Sequence, residues 1–341
     1  MLAVAYHDDY SKYNLGEAHP LLGDKPRKTL EFLREKNVEM NIFEPEPVTY
    51  EALLAVHSKD FVEEIKNLSE SGGMLAVDTP APKGIYNTAR TACGGTKIMG
   101  VKVMENFFCG VNLLGGFHHA GVDNASGFCF FNDIAVAVEF LRKKYDIKRF
   151  LVVDLDVHHC NGTQEIYYKD DSVLVVSMHQ DGRTLYPGTG FIDEIGDDNG
   201  KGFNVNIPLP HGTGNEGYLY AFDEIIPGIA EQFRPEIIFY QSGVDTHHSD
   251  PLANLNLTFD VYHDLGKRMK DIATNTCKKL VVCLGGGYNL EQSVKSYYNI
   301  VSGILGLNDF VSEKNIQDKR IDDVKNVVAE LKRKLADYWN V

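Results

Sequence analysis

"LVVDLDVHHCNGTQ", residues 151–164, is the stretch from which the fold can be read. It opens as a buried strand does, with Leu151, Val152 and Val153. Two aspartates and two histidines then arrive within the same run. Ionised carboxylates are costly to bury unless they are paired or bound to a metal. Side chains on a strand alternate faces, so Asp154, Asp156 and His158 are expected to point one way and Leu155 and Val157 the other. Two carboxylates and an imidazole at one sheet edge suit a hard-to-borderline metal ion.

Further apolar, β-branched runs flank this one: "MLAVAY", "VNLLGG", "SVLVVSMH", "EIIFYQSG" and "KLVVCLGG". Helix-patterned stretches such as "NDIAVAVEFLRKKY" and "VYHDLGKRMKDIATNTCKK" lie between them. Strand then helix, repeated, predicts an α/β fold with a parallel sheet covered on both faces. In such sheets, sites form outside the carboxyl ends of the strands. Several runs end there in polar or glycine-rich clusters. "SGVDTHHSDP" places Asp245 after an apolar strand, as a third ligand beside Asp156 and His158. Three ligands leave a fourth position open, as catalytic zinc sites do. "GGFHHA" places His118 and His119 at another strand end, where paired imidazoles suit acid–base chemistry. In "LGGGYNL" three glycines let the backbone come close to a ligand, and Tyr288 can donate to a developing oxyanion.

The remaining features are quieter. The net charge is −14, which disfavours nucleic acid and weakly favours a cationic substrate. Six cysteines without CxxC spacing predict free thiols and a cytoplasmic location. No apolar run is long enough to span a bilayer, so no membrane partner is expected. "HGTGNEGY" contains a literal G-x-G-x-x-G at Gly212, Gly214 and Gly217. Pro208 and Pro210 break its approach and no acidic residue follows at the required distance, so a dinucleotide site is not expected. Residues 321–339 carry apolar positions Ile321, Val324, Val328, Leu331, Leu335 and Tyr338 at helical spacing, predicting an amphipathic C-terminal helix docked on the core.

Taken in order, "GEAHP", "GGFHHA", "ASGFCFFND", "VDLDVHHCNGTQ", "YPGTG", "SGVDTHHSDPL" and "LGGGYNL" resemble the histone deacetylase family, which includes acetoin-utilisation proteins and acetylpolyamine amidohydrolases. The resemblance spans nearly the whole chain. It implies the arginase–deacetylase fold, one domain over residues 1–341 around an eight-stranded parallel sheet. It implies that Asp156, His158 and Asp245 bind Zn²⁺, or Fe²⁺ in some members. His118 and His119 would be the catalytic pair, and Tyr288 the oxyanion donor. Asp154 would orient His118 and, with the carbonyls of Asp156, His158 and Met178 and the Ser177 side chain, hold a structural potassium ion. Gly127, Phe128 and Tyr186 match the acyl-lysine tunnel, and Asp78 a rim residue that grips the substrate backbone.

Some positions depart from the family pattern. Asn161 stands where one branch has Asp; it either accepts a hydrogen bond from His119 or forms a capping box with Gln164. Cys160 replaces a usual glycine, and Phe117 a frequent Trp or His. Leu252 resembles acetyl-lysine enzymes, and residues 71–83 lack the long insertion of acetylpolyamine amidohydrolases. The expected activity is therefore removal of acetyl or other acyl groups from lysine in a peptide or protein. Acetylpolyamine hydrolysis and a non-catalytic acyl-lysine-binding module are the alternatives. A two-metal arginase-type site would need acids where Cys160 and His247 stand. The oligomeric state is not legible.

Overall fold

Every quoted apolar run carries a strand. In a computed structural model that describes residues 2–17, 19–21 and 23–341, the strands are β1 (Leu2–Ala5), β2 (Met40–Phe43), β3 (Gly73–Ala76), β4 (Thr79–Ala81), β5 (Cys109–Asn112), β6 (Phe150–Asp154), β7 (Val173–Gln180), β8 (Asn204–Leu209), β9 (Ile237–Gln241) and β10 (Leu280–Cys283). Met1 of the first apolar run and Ala18 of "GEAHP" lie outside the described residues. Eight strands make one parallel sheet in the order β2-β1-β5-β10-β9-β6-β7-β8, flanked by helices; β3 and β4 form a separate antiparallel hairpin. The expected α/β class and strand number hold.

The chain divides into two compact units. The first comprises the chain up to Lys148 with Asn161–Ile166 and Val281–Gly285. Its edge strand β2 pairs with β1 in parallel, Leu2 opposite Met40, and β1 pairs with β5. β1 and β5 are wholly buried, whereas β2, "MNIF", is only partly so. Helices Ile85–Glu105 and Asp133–Tyr145 pack closely, because a side chain at Gly100 would meet Leu141 Cδ1 at 2.6 Å.

The second unit holds Arg149–Cys160, Tyr167–Leu280 and Gly286–Val341. Here β6 lies between β7 and β9, and Asp154 stands in register with Ser177 on one side and Gln241 on the other. The C-terminal helix forms over Ile321–Leu335 and buries Val324, Val328, Leu331 and Leu335. Tyr338, expected on that face, is exposed instead. The helix stops at Leu335, and the following turn brings Trp339 inward, where its indole Nε1 donates to Gly202 O at 2.6 Å. The G-x-G-x-x-G segment does follow β8 and runs into the first turn of the helix Asn215–Phe233. However, Gly217 N donates to the Asp318 carboxylate at 2.8 Å. The chain's own anion thus sits where a phosphate would.

Candidate active site

β6 ends at Asp154, so Asp156 and His158 lie in the loop beyond it, and strand alternation does not carry them to a common point. A chain of turn hydrogen bonds does so instead. Asp156 N donates to Asp154 Oδ1 (3.2 Å), His158 N to Asp156 Oδ1 (2.9 Å) and Val157 N to Asp245 Oδ1 (3.0 Å). His158 Nδ1 consequently stands 3.0 Å from Asp156 Oδ1 and 3.3 Å from Asp245 Oδ2. One donor atom from each of Asp156, His158 and Asp245 falls within 4.8 Å of the others, and all three residues are buried.

The electrostatics of this cluster call for positive charge. Burial, with the charge of Asp156 beside it, raises the Asp245 carboxyl above its ordinary range. Burial opposes a charged His158, yet the two carboxylates beside its Nδ1 outweigh it and push that imidazole up to about 10. Asp245 Oδ2 is buried and, among the described residues, accepts no hydrogen bond of acceptable geometry. Two carboxylates and an imidazole aimed at one point, with one oxygen left over, fit a divalent ion better than a proton. Gly286, at φ +79°, clears the space: a side chain there would reach Asp156 Oδ2 at 2.2 Å. Gln241 Nε2 steadies Asp156 Oδ2 from 3.1 Å.

The residues matched to the potassium site, Asp154, Ser177 and Met178, are buried on adjacent strands. Ser177 Oγ lies 2.8 Å from His179 Nδ1, and His179 Nε2 donates to Gly190 O at 2.9 Å. The Cys160 thiol is buried with them. Burial first, then the Asp154 charge, raises it well above its ordinary value, against a hydrogen bond with Ser177. This locates Cys160; nothing in the structure explains why it replaces glycine.

In the first unit, His118 and His119 are buried with ring centroids 4.1 Å apart. His119 Nδ1 lies 2.6 Å from Asn161 Oδ1. An amide oxygen only accepts, so Nδ1 carries the proton and Nε2 presents a lone pair. His118 Nε2 lies 3.1 Å from that nitrogen. Asn161 does not cap: Cys160 is the N-cap of the helix Asn161–Tyr167, and no side chain caps it. The capping box with Gln164 is therefore absent.

Sequence reading missed what holds the histidine loop. Asp133, fully buried, accepts from Gly116 N (3.0 Å) and Phe117 N (2.7 Å), just before the pair. His57 Nδ1 donates to Gly121 O (2.8 Å) and its Nε2 accepts from Asn132 N (3.1 Å), just after it. The only sequence signal was "ND", where Asn132 caps the helix that Asp133 begins. Phe117 stacks on Tyr13 at 4.7 Å.

Asp78 does not stand idle. Its Oδ2 accepts from Gly127 N at 3.0 Å, and its Oδ1 accepts from Thr79 Oγ1 at 2.8 Å. It thereby holds a turn in which Gly127 and Phe128 both have positive φ, +54° and +69°. In the second unit, Tyr186 is 42% exposed, with its ring 6.3 Å from that of His158. Asp250 joins two further expected residues, accepting from Leu252 N (2.9 Å) and Tyr288 N (2.7 Å). No helix among the described residues is long and apolar enough to cross a membrane.

Residues 19–304 match the histone deacetylase domain model. An Archaeoglobus fulgidus protein named "Probable deacetylase" is 34% identical over 98% of both chains. The acetoin utilization protein AcuC of Bacillus subtilis is 34% identical over 85% of this chain and 78% of its own. The solved HD domain of HDA15 superposes with a TM-score of 0.88 at 29% identity, covering 99% of this chain and 95% of that one.

Proposed function

Because the chain belongs to the histone deacetylase domain family, we propose that it is a metal-dependent amide hydrolase that removes acetyl or other acyl groups from the ε-amino group of lysine in a peptide or protein. The observation that carries this reading is the buried Asp156–His158–Asp245 cluster with Asp245 Oδ2 left over. These three residues would hold Zn²⁺ or Fe²⁺, which when bound supplies Lewis acidity to the carbonyl and makes water more acidic.

The chain's own groups do the rest. His119, its Nδ1–H held by Asn161, offers Nε2 to take the proton of the attacking water. Its partner His118, which Asp154 would orient, would share that task. The Tyr288 hydroxyl donates to the oxyanion as it forms. The proton on His119 then passes to the leaving amine, so that acid and base are one residue at successive steps. Phe128 and Tyr186 would line the aliphatic stem of the acyl-lysine, with Gly127, Asp78 and Leu252 around its entrance. Asp154, Ser177 and the carbonyls of Asp156, His158 and Met178 would hold K⁺. On this reading the chain works as a single deacetylase domain, in the cytoplasm, where its six free thiols stay reduced.

The test pairs metal content with turnover. Asp245→Ala should lose its bound ion and all hydrolysis of acetyl-lysine peptides together; full turnover after exhaustive chelation would overturn the proposal. A substrate panel separates lysine from polyamine. Leu252 and the short β3–β4 hairpin favour lysine, so a kcat/KM for acetylspermidine above every lysine peptide would reverse that choice.

A further inference from the structure

We propose that His247, His248 and Glu313 form a second divalent-metal site, which staples the connection of residues 306–320 to the loop that follows Asp245. The site shares no ligand with the Asp156 cluster and does not depend on the function proposed above. His247 Nε2 lies 2.7 Å from Glu313 Oε1, and His248 Nε2 lies 3.3 Å from Glu313 Oε2. The two rings are tilted by 31°, their centroids 4.4 Å apart, and each has its Nε2 beside the same carboxylate. One donor atom from each residue falls within 4.8 Å of the others. Two imidazoles and one carboxylate are a ligand set of zinc and its divalent neighbours, whose remaining positions water commonly fills.

Two features suit this cluster to an ion beyond its internal hydrogen bonds. It is graded in exposure: the His247 side chain is 2% exposed, but His248 and Glu313 are 33% and 26% exposed, which gives an ion a way in from solvent. The ligands are also oriented from behind. Phe259 N donates to Glu313 Oε1 at 3.0 Å, and His247 Nδ1 lies 3.0 Å from Ser249 Oγ. Without an ion, Ser249 N donates to His247 Nδ1 at 3.2 Å, so the ring proton sits on Nε2 and is given to Glu313. Binding at Nε2 requires that proton to move to Nδ1, where Ser249 Oγ can accept it and Ser249 N–H must give up its contact. The imidazole stays neutral and no proton is lost.

The connection itself gives the site a purpose. The helix Leu290–Leu305 ends and the helix Ile321–Leu335 begins with no helix or strand between them. Connections of this length without structure of their own are uncommon. Glu313 tethers this one at its middle, and a metal there would convert hydrogen bonds into coordination and stabilise the folded state.

The experiment uses the full chain, stripped with chelator, reloaded with Zn²⁺ and desalted, with zinc counted per chain. Wild type should hold two ions, and Asp245→Ala one. His248→Ala and Glu313→Gln should each hold one fewer than wild type. In the Asp245→Ala background, added Zn²⁺ should raise the unfolding temperature by several degrees, and His248→Ala should abolish that rise. His248 is partly exposed, so its variant folds even if loss of the Glu313 contact with Phe259 N proves disruptive. Equal zinc content in wild type, His248→Ala and Glu313→Gln would overturn the site. A lost ion in the Asp245→Ala protein alone would leave the proposed function standing and this site refuted. A lost ion in the His248→Ala protein alone would do the reverse.

Discussion

Tyr288 is fixed through its backbone, and its proposed role resides in its hydroxyl. Its N–H donates to Asp250 at 2.7 Å, an anchor that a phenylalanine keeps. Tyr288→Phe should therefore leave metal content unchanged while kcat falls roughly 10²–10³-fold, the cost of removing one oxyanion donor. A near-normal kcat would reduce Tyr288 to packing. Residues of this kind were legible because each stands out against its surroundings: an acid or imidazole closing an apolar run, a tyrosine among glycines. Asp133, His57 and Asp250 were not. Each is a single polar letter whose meaning depends on partners far along the chain, 16 residues away for Asp133 and Phe117, 75 for His57 and Asn132, and 38 for Asp250 and Tyr288. Asp156 and His158 were found for an incomplete reason. The pattern suggested strand alternation, but turn hydrogen bonds converge them after the strand has ended.

Among the elements, buried strands and the C-terminal helix announced themselves by composition and period. β2 did not, because "MNIF" at the sheet edge is half-exposed and lacks a β-branched run. The β3–β4 hairpin, with four residues in β3 and three in β4, was too short to show a period. Strand order could not be read, since which strand lies beside which is a long-range property. The C-terminal helix allows a quantitative check of its own docking. Leu331 is fully buried, and its truncation removes apolar contacts and leaves a cavity. Leu331→Ala should lower the unfolding free energy by about 2–5 kcal/mol in denaturant melts. Lys325→Ala, on the charged face, should change it by no more than about 0.5 kcal/mol. Equal, small effects would mean that the helix contributes little to the core.

For the whole molecule, stability should depend on pH through a histidine that takes no part in the proposed chemistry. His57 is buried, which lowers its pKa from 6.5 to about 4, partly opposed by the Gly121 carbonyl that its Nδ1–H meets. Its other nitrogen accepts from Asn132 N, so a second proton would break that bond as well as bury a charge. The folded state therefore keeps His57 neutral down to about pH 4, while the unfolded chain takes up a proton below 6.5. Between these values the unfolded state binds more protons, so stability falls as pH falls. The contribution is fully present above 6.5 and lost on descending to about 4. The full shift corresponds to about 3 kcal/mol. Other carboxylates and histidines titrate in the same range, so the decisive measurement is a difference. Unfolding free energies of wild type and His57→Gln should be measured from pH 7.5 to 4.5 in denaturant. Gln can donate to Gly121 O or accept from Asn132 N but cannot titrate. The variant should be the less stable at pH 7.5, and the gap should narrow steadily on acidification. Parallel curves would show that His57 takes up its proton in the folded state as readily as in the unfolded chain, and that the clamp on the histidine loop tolerates a charged ring.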